Sequence, residues 1–148
     1  MRSLICVLTV TFLSLGLLIA PGASGVETDS DDQKFWHSFR QAVLEENYAK
    51  ISSMTRFPFP VRGPDDSDPV KLHDQKSFLQ ALKKLLSQPV SLVSDRAIVT
   101  KTMIEVIRSK MKLARADYLN PETIRIHQFQ FRHIEGRWLF TRAYLEDF

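Results

Sequence analysis

Residues able to do chemistry are few in this 148-residue chain, and their spacing speaks against most reactions. His127 and His133 have equal parity on one expected strand. Six residues at about 3.3 Å each set them roughly 20 Å apart, too far to share a metal ion. His37 has Gln33 and Gln41 as its helical neighbours four residues away, and neither is a usual ligand. His73 and Asp74 adjoin in an expected loop, a poor geometry for an orienting pair. The run Asp65-Asp66-Ser67-Asp68 lacks the spaced carboxylates, the glycine and the terminal Glu of a calcium loop and reads as solvated. No metal and no cofactor is expected. The only cysteine, Cys6, lies in the N-terminal apolar segment, and there is no Gly-x-Ser-x-Gly elbow. His127 is left as the one weak candidate for a general base.

A second constellation points to binding. Trp138, Phe140 and Tyr144 alternate along the last expected strand and share a face with Arg142. Aromatics in a domain this small serve the core first. Arg142, a cation between aromatic neighbours, is the side chain that suits a ligand pocket and could pair with a carboxylate. Arg108, Lys110, Lys112 and Arg115, interleaved with Met111 and Leu113, form a basic cluster. It could meet an anionic surface such as lipid headgroups or an acidic partner protein, but a plain solvated strand or helix face is the simpler reading.

The N-terminus sets the compartment in which these residues would act. Arg2, an uncharged run from Leu4 to Ala20, then Pro21-Gly22-Ala23-Ser24-Gly25 have the order of a secretory signal peptide. Cleavage is expected near Ser24 or Gly25, giving a leader at 1–25 and a polar tether at 26–32. The 17-residue run is short of the roughly 20 residues that span a bilayer, so no membrane span is expected after cleavage. Loss of the leader removes Cys6, excluding disulfides and thiol chemistry from the mature domain. Neither Asn47 nor Asn120 begins an Asn-x-Ser/Thr acceptor. Both absences fit a bacterial periplasm better than an animal secretory route. Without Arg2 the balance is 19 Lys/Arg against 17 Asp/Glu, or +2. That mixed surface, together with export, excludes a nucleic-acid binder.

The elements that must position these residues follow from periodicity. Residues 33–148 are expected to form one α+β domain. Ser30 reads as an N-cap, with Gln33 completing a capping box, ahead of a helix that buries Phe35, Phe39, Ala42 and Val43 and ends near Glu46. Asn47 caps a shorter turn with Tyr48, Ile51 and Met54 inward. Pro58 and Pro60 confine residues 56–61 to an edge strand or an extended segment, and residues 62–74 read as an exposed loop. Asp74 caps a helix carrying Phe78, Leu82, Leu85 and Leu86, which Pro89 stops. From Ser94 to Ile107 a helical spacing and a β-branched content compete, and the pattern does not choose between helix and strand. Residues 110–118 read as a short strand through Met111, Leu113 and Arg115. Residues 123–134 then form a strand whose change of phase implies a bulge near His127-Gln128 or a sheet with both faces partly covered. Glu135-Gly136 is a tight turn, and residues 137–145 complete a long C-terminal hairpin.

The stretch Phe35-Trp36-x-x-Phe39-Arg40-x-Ala42-Val43, then Ile51, Phe57-Pro58-Phe59, Ser77-Phe78-Leu79 and Trp138-Leu139-Phe140, resembles small secreted bacterial members of the nuclear transport factor two-like superfamily. The resemblance implies N-terminal helices packed on a curved antiparallel sheet. It supplies no activity, because that fold hosts isomerases, dehydratases, immunity proteins and plain binding modules. The expectation is an exported, non-enzymatic domain that binds a small apolar or acidic ligand, or a protein. The alternatives are a periplasmic inhibitor or immunity-type interaction protein, and a small isomerase or dehydratase with His127 as base.

Overall fold

The computed structural model describes residues 29–145 apart from 66, 95 and 96. The leader expected at 1–25 and most of the tether therefore lie outside the described residues. The element order is α1 (Asp31–Leu44), α2 (Tyr48–Ser53), β1 (Phe59–Arg62), β2 (Val70–His73), α3 (Gln75–Ser87), β3 (Pro89–Ser94), β4 (Ala97–Thr102), α4 (Met103–Ser109), β5 (Tyr118–Asn120), β6 (Thr123–Ile126), β7 (Phe129–Ile134) and β8 (Arg137–Tyr144). A six-stranded sheet has the order β2-β1-β8-β7-β6-β5, and β3-β4 forms a separate two-stranded ribbon. The protein is thus α+β, with helices first and the β7-β8 hairpin last. The sheet is mixed rather than wholly antiparallel, because β1 runs parallel to β8 through Val61↔Ala143 and Arg62↔Tyr144.

One face of the sheet is covered by helices. Phe59, Phe129, Phe131 and Phe140 from the strands meet Trp36, Phe39 and Phe78 from α1 and α3, each 1% exposed or less. The rings pack edge to face and tilted, with centroids 4.9 Å apart for Phe39–Phe131 and 4.6 Å for Phe59–Phe140. Such contacts add about 0.5–1.5 kcal/mol per pair to the burial of the rings.

Helix α1 docks through polar groups as well as apolar ones. The Gln33 amide donates to the Leu113 carbonyl and accepts from its N–H, both at 3.1 Å. The Trp36 indole donates to Lys110 O at 3.1 Å, and Arg40 donates to Ile107 O and Arg108 O at 3.1 and 2.7 Å. Gln33, Trp36 and Arg40 lie three and four residues apart, on one stripe of the helix. Arg40 satisfies carbonyls that the end of α4 leaves without partners. Gln33 is consequently not available for the capping box expected with Ser30, whose side chain makes no cap hydrogen bond.

Local signals explain most of the remaining boundaries, and several expectations are corrected. Asn47 and Asp74 cap α2 and α3 as expected, accepting from Lys50 N at 3.1 Å and Ser77 N at 2.8 Å. The stretch left open between helix and strand from Ser94 to Ile107 contains both, β4 and then α4, whose N-cap is Thr102. Thr102 and Glu105 form a reciprocal capping box, and the β-branched residues before them form β4. Residues 110–118 are not a strand through Met111 but a coil and a 3-10 turn at Arg115–Asp117. The stretch 62–74 ends in β2 rather than remaining a loop. β1 is interior, not an edge. It tolerates Pro60 because its ladder with β8 starts one residue later, at Val61.

The strand expected at 123–134 is two strands. Ile126 pairs with Phe129 across a two-residue turn, and His127 takes φ 49°. The phase change between Ile126 and Phe129 is therefore a hairpin turn, not a bulge. The Glu135-Gly136 turn stands as expected, with φ 50° and 78° suited to a primed hairpin turn.

Candidate functional site: an arginine groove on the open face of the sheet

The four aromatic and basic residues expected on one face of the last strand are divided by a bulge. Gln130 pairs with Arg142, but Phe131 pairs with Phe140, so Thr141 is an extra residue in β8. Alternation restarts there. Phe140 and Ala143 both point into the core at 0% exposure, with Trp138 packed at its margin. Arg142 and Tyr144 emerge on the opposite face. Phe140 is a core residue, and Trp138 pairs with His133, ring centroids 5.4 Å apart. The expected face shared by Trp138, Phe140, Arg142 and Tyr144 does not exist.

Arg142 lies in a groove of about 620 Å³ on the open face. Arg132 and Gln130 from β7 line it, together with Thr123 from β6, Thr141 and Arg142 from β8, and Arg56 from the segment before β1. Their positions follow from the backbone. The Gln130↔Arg142 pair sets β7 beside β8. Thr141 donates to Gln130 O at 3.2 Å and holds the bulge. Arg56 N donates to Phe140 O at 2.9 Å, and Phe140 N donates to Met54 O at 2.8 Å, which runs the Arg56 segment along β8. Three arginines thus line one groove, and among the described residues no carboxylate lines it. Arginine's planar fork of donors matches carboxylate and phosphate oxygens in pairs.

The acid-free character extends over the whole sheet. None of its six strands contains Asp or Glu, whereas Arg62, Lys71, Arg125, Arg132, Arg137 and Arg142 all lie within them. Sequence reasoning found Arg142 and missed Arg56 and Arg132. The exclusion of acidic residues from the strands of a chain holding 17 of them is a signal for Arg132, whereas Arg56 lies outside the strands and carries no such signal.

Tyr144 and His127 fall in a smaller cleft of about 290 Å³ with Arg125 and Gln128. The Arg125 guanidinium lies over the Tyr144 ring at 4.5 Å and donates to His127 O at 3.0 Å. His127 is exposed at its turn. Desolvation and then Lys110 hold its imidazole below the ordinary value, with Asp117 opposing. Phenylalanines fill the centre of the helix-facing side of the sheet, and the cavity of about 470 Å³ at its β1-β2 end is lined by His73, not His127. Among the described residues the only buried titratable group is His73, 8% exposed.

The other sequence candidates stay apart. The cluster expected over Arg108–Arg115 is partly neutralised, because Lys110 pairs with Asp117 at 2.8 Å. His37 is exposed on α1. Among the described residues no group of three or more His, Cys, Asp or Glu side chains is placed to hold a metal ion, and no helix is long and apolar enough to cross a membrane.

An acid–phenol contact outside these sites closes the sheet edge. The Tyr118 hydroxyl donates a hydrogen bond to the Asp32 carboxylate. Burial, then the Asp32 carboxylate, pushes the Tyr118 hydroxyl up to about 12. Burial raises Asp32, but the hydrogen bonds from Ser30, Tyr118 and the Gln33 backbone outweigh it and leave its carboxyl below the ordinary range. The role is structural, tying the start of α1 to β5.

No family model, no curated protein and no solved structure matches the chain. The functional reading accordingly rests on the residues themselves.

Proposed function

We propose that this protein is an exported, non-enzymatic binding module that takes an acidic ligand on the open face of its sheet. The observation that carries this reading is that Arg56, Arg132 and Arg142 line one groove with no carboxylate among its described lining residues. Donors on Gln130 and Thr123 beside the arginines suit a group with several oxygens. Because Arg56 and Arg132 are exposed, the attraction is screened by salt and is strongest at low ionic strength.

Membership of the nuclear transport factor two-like superfamily belongs to the same proposal. It is supported by a sheet in which β1 lies between β2 and the last strand, with helices covering one face. Export rests on the leader sequence, and N-terminal sequencing of the protein recovered from the cell exterior or periplasm should begin after Ser24 or Gly25.

Titration with citrate, inorganic phosphate and hexaglutamate, followed by amide chemical shifts, tests the groove. The expected result is saturable shifts in β7, β8 and residues 54–58 with at least one of the three. Arg142→Ala should weaken that binding about ten-fold or more, since a hydrogen bond to a charged group contributes about 1.5–3 kcal/mol. Preference for hexaglutamate would identify an acidic protein segment, and preference for citrate or phosphate a small ligand. No saturable shift at low salt, or full affinity in Arg142→Ala, would reject the reading.

A second reading, an exported inhibitor or immunity-type partner, draws on the β3-β4 ribbon. Val93 and Ile98 there are 90% and 74% exposed, which is unusual for β-branched residues in a small domain.

A further inference from the structure

The arginine groove has a length and a direction that a small anion does not use. Its lining follows one row of register partners across the sheet. Asn120 pairs with Thr123, Thr123 with Arg132, and Arg132 with Leu139. Thr55 then bridges to Phe140, which sets Arg56 on the far side of β8. The row crosses four interstrand steps, so at about 4.8 Å each the groove runs roughly 19 Å across the strands. About six residues of extended chain, at roughly 3.3 Å each, cover the same length.

The chemistry changes along that row. Arg56, Arg132 and Arg142 occupy the half over β7 and β8. The half over β5 and β6 is lined by Leu119, Asn120 and Thr123, with no cation among them. Leu119 is 60% exposed, an apolar side chain at the uncharged end of a basic groove. A uniform polyanion would leave that end unused. A peptide would not, because its side chains can change from acidic to apolar along one extended segment. Asn120, Thr123 and Gln130 also supply donors and acceptors to a main chain crossing them. A second copy of this chain is a poor occupant, since a two-fold contact would set arginines against arginines.

We propose that the groove takes an extended acidic segment of another protein, laid across the strands. Its carboxylates lie over Arg56, Arg132 and Arg142, and an apolar side chain lies against Leu119. The inference rests on the arginine groove being the binding site and adds the kind of partner it fits.

The probes are two blocked hexapeptides, five glutamates with leucine either first or last, titrated into the protein at low salt and followed by amide shifts. Hexaglutamate, the better leucine peptide with glutamine for glutamate, citrate and hexagalacturonate are the comparisons. The better leucine peptide should shift amides from residues 54–58 to 119–123. It should bind at least ten-fold more tightly than citrate or the glutamine peptide. Its advantage over hexaglutamate should be about five-fold, from partial burial of one leucine side chain. Leu119→Ser, at an exposed position, should remove that advantage, and Arg142→Ala should weaken both acidic peptides. Citrate binding as tightly as the leucine peptide, and weakened by Arg142→Ala, would overturn the peptide inference while the anion site stands. Tighter binding of hexagalacturonate would overturn it likewise, in favour of an acidic polysaccharide. No saturable binding of any acidic probe would reject the groove itself.

Discussion

The inner and outer faces of the six-stranded sheet are built from alternate residues of the same strands, yet they share almost no chemistry. The inner face is phenylalanine from β1, β7 and β8, closed by rings from α1 and α3. The outer face, at the same register positions plus or minus one, carries arginine, glutamine and threonine from β6 to β8, beside Tyr144 and the apolar Val70, Leu72 and Leu139. A residue on the inner face is fixed by its neighbours, because interiors are close-packed and feel a change of one methylene. A residue on the outer face is constrained only by strand propensity. Uniform charge there is therefore not something the fold requires, and it directs attention to a partner. It also costs something, since like charges on neighbouring strands repel.

The largest effect should come from breaking the inner face. Phe140 packs against Phe39, Phe59, Phe129 and Phe131 at centroid distances from 4.6 to 5.3 Å. Phe140→Ala should cost about 3–5 kcal/mol in denaturant unfolding, the range for a large aromatic removed from a core. A loss below about 1 kcal/mol would mean that the core collapses onto the site and that the face is less tightly determined than its packing indicates.

A smaller effect is expected where the two faces are brought into phase. Thr141 is the residue that shifts Arg142 to the outside while keeping Ala143 inside. Deleting it leaves Phe140, Arg142 and Ala143 in simple alternation, so both faces keep their residues. The loss should be about 1 kcal/mol, from the hydrogen bond to Gln130. Amide shifts of β7 and β8 check this. A loss as large as that of Phe140→Ala would show that the bulge sets the twist of the sheet and not only its phase.

On the outer face the expected change in stability is smaller still. Arg132→Ala and Arg142→Ala should each move the unfolding free energy by no more than about 0.5 kcal/mol, as surface substitutions away from special features do. Arg142→Ala should at the same time lose the anion binding proposed above. Retained stability with lost binding separates the two faces. An unfolded Arg142→Ala would make the residue a structural one and end the comparison.

How far this division was legible in the sequence depended on the range of the signal. Local signals were readable. Asn47 and Asp74 announced helix starts because a cap acts over three residues, and Glu135-Gly136 announced its turn because both residues must take positive φ. The stretch from Ser94 to Ile107 stayed open between helix and strand because the local signal that divides it, Thr102-x-x-Glu105, stands among β-branched residues that mimic a helical stripe. Long-range features were not readable. The bulge at Thr141 depends on β7, eleven positions upstream, and moved Trp138 and Phe140 away from Arg142. The turn at His127 carries no glycine or proline, so it passed for a bulge. Arg56 reaches the groove only through its backbone bond to Phe140, a contact that no periodicity encodes. Lys71 and His73 alternate with Val70 and Leu72, but the pattern sat in a Pro- and Asp-rich stretch and ran opposite to the usual sense.

His73 is where the two faces come closest to exchanging roles, and it gives the smallest of the expected effects. It is an imidazole on the inner side of an edge strand, beside the phenylalanines. Burial, and then the Lys71 ammonium, hold it below the ordinary 6.5, with Asp74 pulling it back. A folded-state value below the unfolded one means that the folded protein binds the proton less readily. Stability is therefore complete above pH 6.5 and declines as pH falls through the lower folded value. His127, also held low, contributes in the same direction. The depressed carboxyls of Asp32, Asp74 and Glu105 lose their contribution only further down, as pH falls from their ordinary values of 3.8 to 4.5. Between about pH 7 and 5 the midpoint of unfolding should thus fall slightly. His73→Gln should flatten part of that fall, and the His73→Gln/His127→Gln pair should flatten most of it. If the wild-type midpoint instead rises on acidification, protonated His73 has found an acceptor, and the inner face tolerates charge at its edge as the outer face does throughout.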